Sequence, residues 1–264
     1  MPPIDPPPPV ASHVGSFRPG DFNQDIYTIP IEIGLIASIN AFYSPRSQTL
    51  LPWYAGQVDL VTRPTKYTRG LLLPYTITTS FLVLAGLDIY QPRFHFWNET
   101  RGLAHALLLA EIANASAKTI VQEKRPNYNY ELSKNGIESP DSRASFYSGH
   151  ANQAFALSTY TSLLMFEYCD SKVVSTVYSI LATSAAGVVS YSRLQDHAHH
   201  MTDVFIGAIL GSTISWLTFN RVQEVEKENN KISQENNFQF HITPGYTRDD
   251  DGHSWYTADL KLEL

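Results

Sequence analysis

Twelve residues, SRLQDHAHHMTD at 192–203, set three histidines, two aspartates and one arginine side by side. Imidazoles and carboxylates are ordinary metal ligands, so a zinc site built from His197, His199 and Asp203 is one reading, and a solvated helix face is another. His199 and Asp203 are four apart, hence neighbours on a helix. A carboxylate bonded to one imidazole nitrogen fixes the tautomer and leaves the other lone pair for attack. Arg193 adds a planar fork suited to an oxyanion.

Two further clusters belong with this one. In KTIVQEKRP, Lys118 and Arg125 are seven apart, close to two turns, which predicts both on one face of a helix that Pro126 terminates. Two cations on one face repel unless an anion sits between them. In SFYSGHAN (145–152), Ser148 and Gly149 stand just before a helix whose first amides are unpaired. Such amides bind anions, Gly149 lets the backbone approach, and Ser148 can cap the helix or donate to a ligand. Three cations, helix-start amides and the histidines His150 and His199 together read as a phosphate site.

The order and spacing K-x6-RP, SGH and SR-x5-H-x3-D resemble the three-part signature of the type 2 phosphatidic acid phosphatase superfamily. That family also contains bacterial class A acid phosphatases and vanadium haloperoxidases. The matching positions are Lys118, Arg125, Pro126, Ser148, Gly149, His150, Ser192, Arg193, His199 and Asp203; Tyr147 stands where the family usually has proline. The resemblance implies a mainly helical fold and phosphate ester hydrolysis with no metal cofactor. His199 would attack phosphorus and form a phosphohistidine, with Asp203 orienting it, and His150 would protonate the leaving oxygen and then activate water. Lys118, Arg125, Ser148, Gly149 and Arg193 would hold the equatorial oxygens. Vanadate is expected as an inhibitor. With a histidine reference value of about 6.5, the opposed needs of His199 and His150 predict a bell-shaped pH profile. His197, His200 and Asp196 match no motif position and are assigned solvated or supporting roles; Arg143 is a candidate for the pocket rim.

The elements that must position these groups are apolar segments of helical length. They lie at 30–43, 69–90, 99–124, 150–168, 172–194 and 200–226, with proline and glycine at the joins. The predicted class is all-α, a compact bundle of about six or more core helices. After a polar connector, alternating FQFHITPGYT and HSWYTADLKLEL flank RDDDG and predict an appended C-terminal β-hairpin. The expected layout is a Pro-rich flexible tail at 1–24, a phosphatase domain at 25–226, and connector plus hairpin at 227–264. Several segments approach the roughly 20 apolar residues of a bilayer span. The mean hydropathy of -0.18 favours helices buried in a soluble bundle, with 69–90 the segment most suited to touch lipid.

Bulk composition excludes some functions. A net charge of -6 argues against a general nucleic-acid binder, and a single cysteine, Cys169, allows neither an intrachain disulfide nor a thiolate metal site. Six prolines in the first nine residues, with no apolar h-region, read as a flexible tail or a trimmed mature start and not as a signal peptide. The expected activity is phosphatase action on monoesters or pyrophosphates, with lipid or isoprenoid phosphates ahead of small soluble esters. The expected partners are a phosphorylated small molecule or lipid, with peripheral membrane contact, in a bacterial periplasm or envelope. Two competing readings are a vanadate-dependent haloperoxidase, with vanadate as cofactor in the same pocket, and a non-catalytic envelope scaffold.

Overall fold

The computed structural model describes residues 21–44 and 72–235, and the backbone of 239–248 and 254–263. The Pro-rich tail expected at the N-terminus falls, up to residue 20, outside the described residues. Among the described residues up to 235 the chain is all-α, with seven helices. These are α1 (Phe22–Ala41), α2 (Leu72–Tyr90), α3 (Phe96–Val121), α4 (Tyr128–Asn135), α5 (Gly149–Tyr168), α6 (Lys172–Gln195) and α7 (Met201–Glu235), with a 3-10 turn at Pro140–Arg143. The chain divides into two compact units, one ending at Val222 and one beginning at Gln223.

The core of the first unit joins four helices. Leu84 and Leu87 of α2, Leu103 and Ala106 of α3, Leu157, Tyr160 and Leu164 of α5 and Phe219 of α7 form one buried cluster. The Tyr160 and Phe219 rings meet edge to face at 5.5 Å. Glu99, buried beside this core, accepts from the hydroxyls of Tyr160 (3.1 Å) and Tyr168 (2.8 Å).

Helix α1 begins eight residues before the segment read from the sequence and carries Pro30 inside it. Proline costs a helix an internal hydrogen bond, and tertiary ion pairs offset that cost. Asp25 and Glu32, both buried, flank His105 of α3, with Asp25 Oδ1 at 2.8 Å from Nε2 and Glu32 Oε1 at 2.9 Å from Nδ1. Arg101 Nε also donates to Asp25 at 2.9 Å. An apolar pattern gives little weight to charged residues on a helix, and this contact is why the apolar run at 30–43 marks only the later part of α1.

Two helices, Lys172–Gln195 and Met201–Lys231, are long and apolar enough to cross a membrane by length and composition. Their apolar side chains point outward: Ile180, Leu181 and Val188 of α6 and Phe205, Ile209 and Trp216 of α7 are exposed, and only 22% of the most apolar stretch of α6 is buried. That corrects the expectation of helices buried all round in a soluble bundle. An apolar surface of this kind suits lipid and costs free energy in water. On α2, the segment expected to touch lipid, Phe81, Leu82 and Ile89 are likewise exposed.

The inner side of α7 packs closely on the start of α5, which matters for the site. A side-chain carbon at Gly211 would overlap the Asn152 carbonyl oxygen, and one at Gly207 would stand 2.7 Å from that of Ser148. Only glycine permits that approach.

Candidate phosphate site

Three chain segments converge where α3 ends, α5 begins and α6 gives way to α7. Helix α3 stops at Val121, with Gln122 in the left-handed region (φ 52°, ψ 46°) donating its N–H to the Lys118 carbonyl. Lys118 is therefore helical, whereas Arg125 lies beyond the helix. The expected shared helix face does not exist, and Pro126 is not the stop. Arg125 is placed by the 3-10 turn instead: its N–H bonds the Ser142 carbonyl (3.0 Å), its Nε the Asp141 carbonyl (2.8 Å) and its Nη2 Asp141 Oδ1 (2.6 Å).

Ser148 caps α5, its hydroxyl accepting from the Ala151 N–H at 3.4 Å, as its type and position suggest. Gly149 brings this turn close to Lys118: a side-chain carbon there would stand 3.5 Å from Lys118 Nζ and 2.8 Å from Asn114 Oδ1. Asn114 in turn donates to the Tyr147 carbonyl (2.8 Å), tying α3 to the turn. His150 follows in the first turn of α5.

The third segment brings His199 and Asp203, which are almost fully buried. The expected direct bond between them is absent; His199 Nδ1 stands 3.9 Å from Asp203 Oδ2, beyond hydrogen-bond range. His199 lies before α7, not on it, so the four-residue helical spacing does not apply. Ser145 stands between the two. Its carbonyl takes the His199 Nδ1–H at 2.8 Å and its hydroxyl donates to Asp203 Oδ2 at 2.6 Å. A carbonyl only accepts, so Nδ1 carries the proton and Nε2 holds the lone pair. Asp203 also accepts from the His200 N–H at 2.9 Å, a third-position carboxylate closing back on the start of α7.

A cavity of about 510 Å³ opens over this junction, lined by Arg125, His150, Arg193, Asp196 and Ala198, with Glu131 of α4 at its rim. Lys118 lines a neighbouring cavity of about 240 Å³ with Glu111 and Tyr43. His199, Asp203, Ser148 and Gly149 line neither. Arg143, a candidate for the rim, is buried and paired with Glu138. His200 turns its ring to the Lys124 carbonyl (3.2 Å), and among the described residues no three His, Cys, Asp or Glu side chains are grouped to hold a metal ion.

Electrostatics tie the segments together. Burial, then the charges of Arg125 and Lys118, holds His199 well below the usual histidine range. Burial, then Arg193, Lys118 and Arg125, brings His150 down to about 4. Lys118 is lowered by burial and next by Arg125. A histidine whose folded value lies below the unfolded reference of about 6.5 stabilises the fold above that pH. The stability is lost as pH falls, because the unfolded chain then binds the proton that the native state refuses. The melting temperature should therefore fall between pH 6.5 and about 4, and more steeply for the wild type than for His150→Gln. Parallel melting curves for the two proteins would rule out a buried neutral His150.

Residues 99–227 match the model of the PAP2 superfamily. The chain is 28% identical over 219 residues to Lipid phosphate phosphatase 1 of Arabidopsis thaliana, covering 72% of this chain and 63% of that protein. It is 25% identical over 179 residues to Probable lipid phosphate phosphatase 4 of the same plant, covering 56% and 58%, and 30% identical over 95 residues to Phospholipid phosphatase 2 of Mus musculus, covering 33% of each. The chain thus spans less than two thirds of the length of these relatives. No solved structure is significantly similar to it.

Proposed function

The chain belongs to the PAP2 superfamily, and on that premise we propose that it is a phosphatase acting on phosphate monoesters or pyrophosphates without a metal cofactor. The observation that carries the reading is His199, whose Nδ1–H is fixed on the Ser145 carbonyl while Arg125, Lys118 and Arg193 are near enough to depress its basicity. A neutral imidazole with its Nε2 lone pair unprotonated, in the field of three cations, suits in-line attack on a phosphoryl group. In this reading His199 is the nucleophile, and His150, on the cavity wall, protonates the leaving oxygen. Arg125, Arg193, Lys118, Ser148 and Gly149 hold the phosphoryl oxygens. Asp203 acts on His199 through Ser145 and through its own charge.

Lipid or isoprenoid phosphates are the proposed substrates. Support comes from the outward apolar faces of α6 and α7 and from relatives named as lipid phosphate phosphatases. Membrane association is the part of the expected envelope location that these helices support. Residues 25–226 form the proposed phosphatase domain. For the C-terminal segment we propose a polar connector, helical to the end of α7 at Glu235, and a β-hairpin read from the alternation of FQFHITPGYT and HSWYTADLKLEL on either side of RDDDG.

Phosphate release from alkyl phosphates and p-nitrophenyl phosphate should survive EDTA and be inhibited competitively by vanadate. Activity lost to EDTA and restored by zinc or magnesium would overturn the metal-free mechanism. Bromide oxidation by the vanadate-loaded protein with peroxide, in place of phosphate release, would favour the haloperoxidase, and neither activity the scaffold.

A further inference from the structure

The sequence gives Asp196 a solvated or supporting role; in the structure it is 3% exposed and lines the cavity beside Arg193 and His150. It ends α6, its N–H bonding the Ser192 carbonyl at 3.0 Å. Its Oδ2 accepts from Arg193 Nη1 at 3.1 Å, and its buried Oδ1 accepts no hydrogen bond among the described residues. The other cavity arginine is paired differently: Asp141, the partner of Arg125, is 74% exposed.

A carboxylate in a cavity built for an anion is costly twice over. It loses hydration on burial, and its charge repels the phosphoryl group. We propose that Asp196 is a positioning residue: it holds the Arg193 guanidinium by one edge and so fixes its orientation at the cavity that would receive the phosphoryl group. Removing rotamer freedom from an arginine before the ligand arrives lowers the cost of gripping it. The proposal rests on the phosphatase reading for the identity of the ligand.

Two effects of Asp196→Asn oppose each other, and the sign of the change separates them. If Asp196 were only a negative charge near the site, its loss would tighten anion binding. If it positions Arg193, its loss weakens binding. Orthovanadate binding to the full chain, followed by calorimetry, reads this without turnover. Asp196→Asn should weaken vanadate binding about tenfold and lower kcat/KM about thirtyfold, with Asp196→Glu recovering part of both. In an Arg193→Lys background the same substitution should change vanadate affinity less than about twofold, since the two residues act as one unit.

Unchanged or tighter vanadate binding in Asp196→Asn, even with a lower melting temperature, would reduce Asp196 to a helix end and overturn the proposal. So would an undiminished loss in the Arg193→Lys background. Should Asp196→Asn yield no folded protein, Asp196→Ser and Asp196→Glu carry the same comparison. A wild type that binds vanadate with this Asp196 dependence yet releases phosphate from no ester would sink the phosphatase reading and leave the positioning role standing.

Discussion

Replacing His199 with alanine should lower kcat by roughly 10⁵-fold, the scale on which loss of a catalytic nucleophile acts, while the protein still folds. The substitution deletes one hydrogen bond, to the Ser145 carbonyl, a loss of about 1–2 kcal/mol. Ser145 keeps its own tie to Asp203 at 2.6 Å, so the junction of the three segments survives. In the wild type, substrate carrying labelled phosphorus and quenched in alkali should leave the label on His199 as a phosphohistidine. Label on a serine or an aspartate, or an active His199→Ala enzyme, would end the mechanism.

The second large effect concerns His150 and the pH profile. The sequence suggests a bell centred near the reference histidine value, with His199 on the acid limb and His150 on the basic limb. The buried, cationic site moves both limbs down. His199 must be neutral to attack, and a value held well below 6.5 keeps it neutral across the working range. His150 must be protonated to serve the leaving group, and in the empty site its value is about 4. Because kcat/KM reports the free enzyme, it should fall as pH rises above about 4. A bound phosphate dianion favours the imidazolium, so kcat should hold to higher pH.

His150→Ala should lower the rate on an alkyl phosphate by about 10²- to 10⁴-fold, the usual range for a general acid. Most of that loss should return with dinitrophenyl phosphate, whose leaving group needs no proton. The substrate's own ionisation is common to both enzymes and cancels in their ratio, so the ratio of mutant to wild type should itself rise with pH above about 4. Equal deficits on the two esters, or a flat ratio, would show that His150 is not the acid.

Much of the site could be read from residue types because its parts are local. SGH carries its own helix start, and Ser148 caps α5 as serine does at such positions. Asp203 sits three residues past His200 and closes back on the start of α7. Six of the seven helices show apolar stretches long enough to be seen, with ends that shift by as much as eight residues at the start of α1 and nine at the end of α7. Helix α4, eight residues between two proline-containing loops, is too short to display a period. A seven-residue spacing fits a helix equally well whether or not the helix reaches that far, so it does not place Arg125.

The sequence by itself determined the groups: which side chains titrate, which carry fixed positive charge, which turn opens a helix, and in what order they occur. Those properties belong to single residues or to contacts within a few positions. The tertiary structure decided how the groups address one another. The proton on His199 is fixed by a main-chain carbonyl 54 residues away, and Asp203 reaches it through Ser145, which no spacing could indicate. Asp196, left between a solvated and a supporting role, is buried beside Arg193, and many apolar residues of α6 and α7, expected inside, face outward. Every residue has a main-chain acceptor and every apolar helix has two sides, so only the packing selects the acceptor that is met and the side that is covered.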